Sequence, residues 1–395
     1  FADALKAAEK PLHVRGLSYI SKEPNEAYEQ LPSHEECLQD KNKFIDMFDL
    51  FYHNNDPISA KGLCQKVDSR YLIQNAPSLN LTTSELDSIS DLDYERDLHP
   101  FHQPEGKVKA LDTIKFSINT HQGCYGECNF CAIGVHQGRT IRSRSEESIL
   151  KEAKKFTTYK DFKGIISDIG GPTANMYGFE CNKKIKKGTC EHKACMTPTM
   201  CKSMKTDHSP QIKLLRKIRA IKGIKKAFIA SGIRYDLISD DKYNGYNYLK
   251  EIVNHHISGQ MKVAPEHIDD EVLAYMRKPG KQSLVEFKKL FDKLNKESGK
   301  KQFLTYYLIA AHPGCKEQNM YNLKDFATNV LKMNPEQAQV FTPTPSTYST
   351  LMYYTEMDPI TRKPLFVEKD MHKKEKQKEI VIKKGHKVFK SGLDS

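Results

Sequence analysis

No apolar run in this 395-residue chain approaches the ~18 residues of a transmembrane helix, so no helical membrane span is expected. The start also lacks the basic segment, apolar stretch and small-residue cleavage site of a secretory signal. It opens on Phe1 rather than methionine, which suggests that the true N-terminus lies further upstream. Cysteine is too sparse for a secreted disulfide scaffold, with ten in the whole chain. Together these absences point to the cytoplasm. Compact interleaving of basic and aromatic residues, the mark of a nucleic-acid surface, is missing as well. The formal net charge of +12 would suit an anionic partner, but Lys-rich helix faces and tails in solvent account for it more simply. Part of the excess sits in the tail 367–395, with nine lysines against five acids.

What is present is a concentration of cysteine. Seven of the ten lie between 124 and 201, a clustering that favours metal or redox ligands in a reducing compartment. Cys37, Cys64 and Cys315 stand alone and read as small buried hydrophobes. In Cys124-Tyr-Gly-Glu-Cys128-Asn-Phe-Cys131, three thiolates share one short loop, relieved by Gly123 and Gly126. Zinc and the common ferredoxin clusters take four protein ligands, so a local set of three suggests a centre with one open position. A structural zinc with His121 or His136 as fourth ligand is the competing reading.

The surrounding pattern is βα. Apolar runs occur at 114–118, 164–169, 226–231, 260–264, 303–311 and 337–342. Between them, Leu214, Leu215, Ile218 and Ile221 form one helix stripe. Leu284, Phe287, Leu290, Phe291 and Leu294 form a second, and Leu323, Phe326, Ala327, Val330 and Leu331 a third. Six short buried-type strands alternating with helices predict an α/β fold, a partial (β/α)6 barrel with N- and C-terminal extensions. Each run ends in polar or turn-forming residues, where parallel barrels build their sites. Residues 1–110 read as the tail of an upstream domain plus a linker, with a strand near 14–20, a helix near 44–51 and loop from 56 to 104. The barrel is expected over 111–345 with a cysteine-rich insert at 178–205, and a basic C-terminal extension over 346–395.

Three thiolates can hold a [4Fe-4S] cluster and leave one iron for S-adenosylmethionine, whose reductive cleavage yields a 5′-deoxyadenosyl radical. Phe130, beside the last cysteine, is placed to shield such a cluster from water. Cys-x3-Cys-x-aromatic-Cys after the first strand of a βα series resembles the radical SAM superfamily. Four further stretches resemble its YgiQ family more narrowly: residues 128–139, Asp168-Ile-Gly-Gly-Pro-Thr-Ala-Asn-Met-Tyr-Gly178, Ser231-Gly-Ile-Arg-Tyr-Asp-Leu237 and Lys262-Val-Ala-Pro-Glu-His267. The resemblance implies that Cys124, Cys128 and Cys131 ligate the cluster and that Gly170 and Gly171 bring backbone against the methionine amino group. Pro172 stands where many members have Glu. Ser231, Arg234 and Asp236 are then placed to hold the carboxylate or ribose hydroxyls, and Glu266 and His267 to face ligand or substrate. Arg139, Arg142 and Arg144 either offset a negative cluster or lie on the surface. Flavodoxin or ferredoxin is the expected reductant.

A second set, Cys181, Cys190, Cys195 and Cys201, lies in a Lys-rich, apolar-poor segment and suggests zinc or an auxiliary iron–sulfur cluster. The competing function is a zinc-stabilised basic module that binds RNA or protein without catalysis. A methylthiotransferase acting on RNA is a third, disfavoured because no appended RNA-binding domain is recognisable.

Overall fold

The structure, a computed structural model, describes residues 11–191 and 193–382. The expectations for the last stretch of the tail, 383–395, lie outside the described residues. In the N-terminal part, β1 (Ser18–Ser21), β2 (Glu29–Leu31), β3 (Leu63–Val67) and β4 (Arg70–Gln74) form a sheet in the order β1-β4-β3-β2. β4 is antiparallel to both neighbours and β2 is parallel to β3. The expected loop at 56–104 is therefore corrected: it holds the β3–β4 hairpin and a helix, Thr83–Ser90, closed by a Thr82/Glu85 capping box. Asp68 takes the left-handed conformation at the hairpin turn (φ 53°), a geometry that Asp tolerates. Neither strand alternates cleanly between buried and exposed residues, which is why periodicity missed them.

The helix expected near 44–51 spans Lys41–His53 and buries Ile45, Phe48 and Tyr52 against Leu351 of helix Tyr348–Thr355. N- and C-terminal segments thus share one small core beside the barrel.

The barrel strands are β5 (Ser117–Asn119), the short β6 (His121–Gln122) and β7 (Arg142–Ser143), β8 (Ile165–Ile166), β9 (Asp168–Gly170), β10 (Lys226–Ala227), β11 (Gln260–Glu266), β12 (Phe303–Ala310) and β13 (Gln339–Val340). β5 pairs β9, β8 pairs β10, and β11, β12 and β13 pair in series, all parallel. β8 and β9 are one strand interrupted at Ser167. Backbone bonds close the remaining joints: Phe228 N–H donates to Ile166 O, Ile169 N–H to Phe228 O, and Ile233 N–H to Lys262 O. Six strand positions therefore follow each other in chain order, as the alternation predicted. Among the described residues no pairing joins β13 back to β5, so the barrel is open on that side.

Helices Glu146–Phe156, Ser209–Arg219, Gly245–His255, Lys281–Glu297 and Glu317–Asn329 lie between the strands in sequence. Their stripes, including Ile149, Leu215, Ile252, Phe287 and Leu323, meet the strand side chains Ile118, Ile166, Val263 and Leu308 in one continuous core. Each such buried side chain contributes about 1.5–3 kcal/mol by leaving water. The first strand starts later than expected, because 109–114 is helix. Helix Met371–Ile382 packs on helix Glu317–Asn329 and against β12 and β13, with Lys374, Gln377 and Val381 buried, so the segment read as a basic extension forms part of the barrel wall up to 382. Among the described residues no helix is long and apolar enough to cross a membrane.

Candidate active site

The β6–β7 pair closes the base of the loop that carries the cysteine trio. Cys124 N–H donates to Gly138 O (3.1 Å). Gly123 is left-handed (φ 84°), and a Cβ there would lie 2.3 Å from the Thr140 carbonyl oxygen, so only glycine fits. Between the first two cysteines, Tyr125 is fully buried against Phe179, and Glu127 forms an ion pair with Arg139 (3.4 Å). The Arg139 guanidinium in turn lies 4.9 Å from the Tyr52 ring. Asn129 donates from its amide side chain to Tyr275 O (2.8 Å) and accepts at its backbone carbonyl from Ser349 N–H (2.8 Å). The loop is therefore fixed by groups from three helices, Lys41–His53, Asp270–Tyr275 and Tyr348–Thr355, as well as by neighbouring loop segments.

All three thiols are half-buried. Cys124 Sγ lies 3.4 Å from Thr173 Oγ1 and accepts from Gly126 N–H (3.4 Å), and Cys128 Sγ accepts from Arg234 Nη1 (3.4 Å). Burial raises the Cys124 thiol and pushes Cys131 up to about 11, and a positive centre facing these sulfurs would favour their thiolates. Among the described residues no three of His, Cys, Asp and Glu converge as the ligands of a single ion would. Thiolates on separate irons of a cluster need no such convergence, and three soft donors beside N–H groups that can bond to sulfur fit a [4Fe-4S] centre.

The glycine pair ends β9 next to this loop. A Cβ on Gly170 would lie 2.8 Å from Ser231 Oγ, and one on Gly171 would lie 2.5 Å from His121 Cε1. Both positions thus require glycine, because the Ser231 and His121 side chains leave no room for a Cβ. Ser231 is tied to Asp168: its hydroxyl donates to that carboxylate, which also accepts from Ala230 N–H (2.7 Å) and Ser231 N–H (3.1 Å). Arg234 and Asp236 are committed to each other through a bidentate fork, Nε to Oδ1 at 2.9 Å and Nη2 to Oδ2 at 2.6 Å. Burial alone would pull the Arg234 guanidinium down, but Asp236 and the nearby sulfurs hold it well above its usual range and it is charged. Burial works the same way against Asp236, yet the guanidinium keeps its carboxyl below the usual carboxylate range. The two groups expected to hold a ligand's carboxylate or ribose hydroxyls are thus also bonded to each other.

Glu266 is left-handed (φ 67°) and buried, and burial raises its carboxyl against the opposing pull of Lys278, 3.9 Å away. His267 points away into the core, accepting at Nδ1 from Asp269 N–H, with Nε2 3.6 Å from Cys315 Sγ. Phe130 packs half-buried near His312. Arg139, Arg142 and Arg144 are not surface charge: they meet Glu127, Asn80 and Glu152 respectively. Sequence reasoning passed over Glu127, Thr173 and Lys278, and weighed His121 only as a zinc ligand. Only Thr173 carried a signal, two residues past the glycine pair.

The second cysteine set is split. Cys181, Cys195 and Cys201 join Tyr125, Met176, Met196 and Met204 in a small apolar cluster, whereas Cys190 is exposed. Lys184, expected in a solvated run, is buried, with Nζ donating to Arg139 O (2.6 Å) and paired with Glu180 (2.8 Å).

Comparison with known proteins adds a second line. The family described as "Radical SAM N-terminal" matches residues 1–117 and "Radical SAM superfamily" matches 118–327. UPF0313 protein FN0734 of Fusobacterium nucleatum subsp. nucleatum is 58% identical over 97% of the chain, and a UPF0313 protein of Clostridium perfringens is 42% identical over 97%. The chain spans 67% and 58% of those relatives' own lengths. A structure of the radical S-adenosylmethionine methyltransferase TsrM from Kitasatospora setae, with cobalamin and a [4Fe-4S] cluster bound, aligns over 62% of this chain and 41% of that one. Its TM-score is 0.39 at 13% identity, a likeness too low to carry any argument.

Proposed function

The chain belongs to the radical SAM superfamily, among its UPF0313 proteins, and on that premise we propose that it is the cofactor-binding core of a radical enzyme. Cys124, Cys128 and Cys131 hold a [4Fe-4S] cluster, and S-adenosylmethionine binds over the Gly170–Gly171 backbone with Ser231, Arg234, Asp236 and Glu266 around it. When bound, the pair supplies one chemistry, the reductive cleavage of S-adenosylmethionine to a 5′-deoxyadenosyl radical that acts on a further substrate. The protein's own part is to fix the sulfurs, present bare backbone and exclude water. The observation that carries this reading is the placement of three half-buried thiols on one anchored loop after the first parallel strand, with Thr173, from the glycine-pair loop, against Cys124.

The ten unpaired cysteines suit a reducing compartment such as the cytoplasm, and flavodoxin or ferredoxin is proposed as the electron donor. Cys181, Cys190, Cys195 and Cys201 stay the candidates for a second metal, zinc or an auxiliary cluster, although among the described residues they do not converge as the ligands of a single ion would and Cys190 lies apart from the other three. The test is anaerobic reconstitution followed by iron, sulfide and zinc analysis, and an assay for 5′-deoxyadenosine with dithionite. Iron and sulfide lost on replacing Cys124, Cys128 and Cys131 by Ala, with deoxyadenosine formed by the wild type, is the expected result. Zinc alone, with no deoxyadenosine, would leave the alternative of a zinc-stabilised binding module. Metal that survives the triple replacement and is lost with the second set would locate the second site.

A further inference from the structure

Arg234 is held more firmly than a ligand-binding arginine requires, and it faces a sulfur. Three of its N–H donors are directed, two to Asp236 and one to Cys128 Sγ at 3.4 Å. Its backbone is clamped as well: Arg234 N–H donates to Asn175 Oδ1 (2.9 Å), and Asn175 Nδ2 donates to Arg234 O (3.0 Å). The same Nδ2 lies 3.1 Å from His208 Nε2, and His208 Nδ1 lies 2.8 Å from Asp241 Oδ2. With Asn175 donating, His208 Nε2 is the acceptor, so Nδ1 carries the proton given to Asp241. His208 is further stacked on Tyr248, ring centroids 4.5 Å apart, and Asn175 and His208 are both fully buried. A continuous hydrogen-bonded chain, Asp241–His208–Asn175–Arg234, thus runs from the helix layer to the thiol of Cys128.

The geometry points to Arg234 as a tuning residue for the cluster, which sets its reduction potential by charge and by an N–H···S bond. Asn175, His208 and Asp241 are positioning residues behind it. Reduction adds negative charge to the centre, so a buried guanidinium bonded to one of its sulfurs favours the reduced form and raises the potential. Asp236 opposes part of that charge and moderates the effect. The role differs from binding the ligand carboxylate, which would act only when S-adenosylmethionine is present. This inference rests on the proposed cluster, and the experiment separates the two.

The experiment is an anaerobic redox titration of the reconstituted full chain without S-adenosylmethionine, followed by EPR of the reduced cluster. Arg234→Gln is expected to shift the midpoint negative and Asp236→Asn to shift it positive, each by more than the titration error. Asn175→Leu should give a smaller negative shift. If Arg234→Gln fails to fold with Asp236 left unpaired, the double variant R234Q/D236N removes both charges at nearly constant shape. Its expected shift is negative, because the N–H···S bond is lost. Midpoints equal to wild type in Arg234→Gln or the double variant, with intact clusters, overturn the assignment. A rise in the dissociation constant for S-adenosylmethionine at an unchanged midpoint does so as well, and returns Arg234 to ligand binding. No EPR signal and no iron in the wild type would instead overturn the cluster reading itself.

Discussion

At Gly171 the difference between a hydrogen and a methyl group falls on one imidazole. The His121 ring beside it is fully buried and held at Nδ1 by Thr120 Oγ1 (2.9 Å), so it has no room to retreat from a Cβ 2.5 Å away. Gly171→Ala is expected to destabilise the metal-free protein by about 1–3 kcal/mol, as overpacking does. Urea denaturation checks it, and adding His121→Ala to the same chain should recover most of the loss. A single variant as stable as wild type would show that the loop yields. Little of this was legible beforehand: the cysteine trio and the glycine pair stand out by spacing, but His121 reaches the pair from another strand. The direction of Arg234 was equally hidden, because a sequence gives no hint that its partners are Asp236 and Cys128 rather than a ligand.

Among the elements, those with a continuous stripe or a short apolar run were readable. The helices Ser209–Arg219 and Lys281–Glu297 bury Leu214, Leu215 and Ile218, and Leu284, Phe287, Phe291 and Leu294, as their spacing marked. Leu290 is only partly buried, and Ile221, also partly buried, lies past the helix end. Helix Met371–Ile382 was not readable. It buries Lys374 and Gln377 in place of apolar residues, with Lys374 Nζ bonded to the Tyr353 hydroxyl (3.0 Å) and Gln377 Oε1 accepting from Ala311 N–H (3.1 Å). Gln377→Ala leaves that buried N–H without a partner and is expected to cost about 1–3 kcal/mol. Lys373→Ala, on the exposed face, should stay within about 0.5 kcal/mol. Equal midpoints for the two variants in thermal or urea unfolding would contradict the packing described. At the other end of the barrel, Ser145 caps helix Glu146–Phe156 by accepting from Ser148 N–H (3.0 Å), and Ser145→Ala should cost about 1 kcal/mol in the same measurement.

For the whole molecule, buried imidazoles set the response to acid. Burial holds His121 and His267 at about 4 and His312 at about 3, whereas each titrates near ~6.5 in an unfolded chain. Between those values the unfolded state binds more protons, so stability falls as pH drops from about 6.5 towards 4 and is flat above for these groups. Glu266, raised by burial, acts in the opposite sense and offsets part of the slope. Urea midpoints measured from pH 8 to pH 4.5 should decline only in the acid half, and replacing His267 by Gln should flatten the curve. The anchored cysteine loop has a consequence of a different kind, for the order of assembly. Tyr125, Glu127 and Asn129 fasten the segment to the rest of the fold through burial, an ion pair and hydrogen bonds to other protein groups. If the loop holds the proposed cluster, these protein-to-protein contacts can form ahead of it, whereas a zinc finger folds only around its ion. Insertion of that proposed cluster would then act on an already folded chain, and chelator-treated protein should keep its circular dichroism while its unfolding midpoint falls only by the linkage of binding.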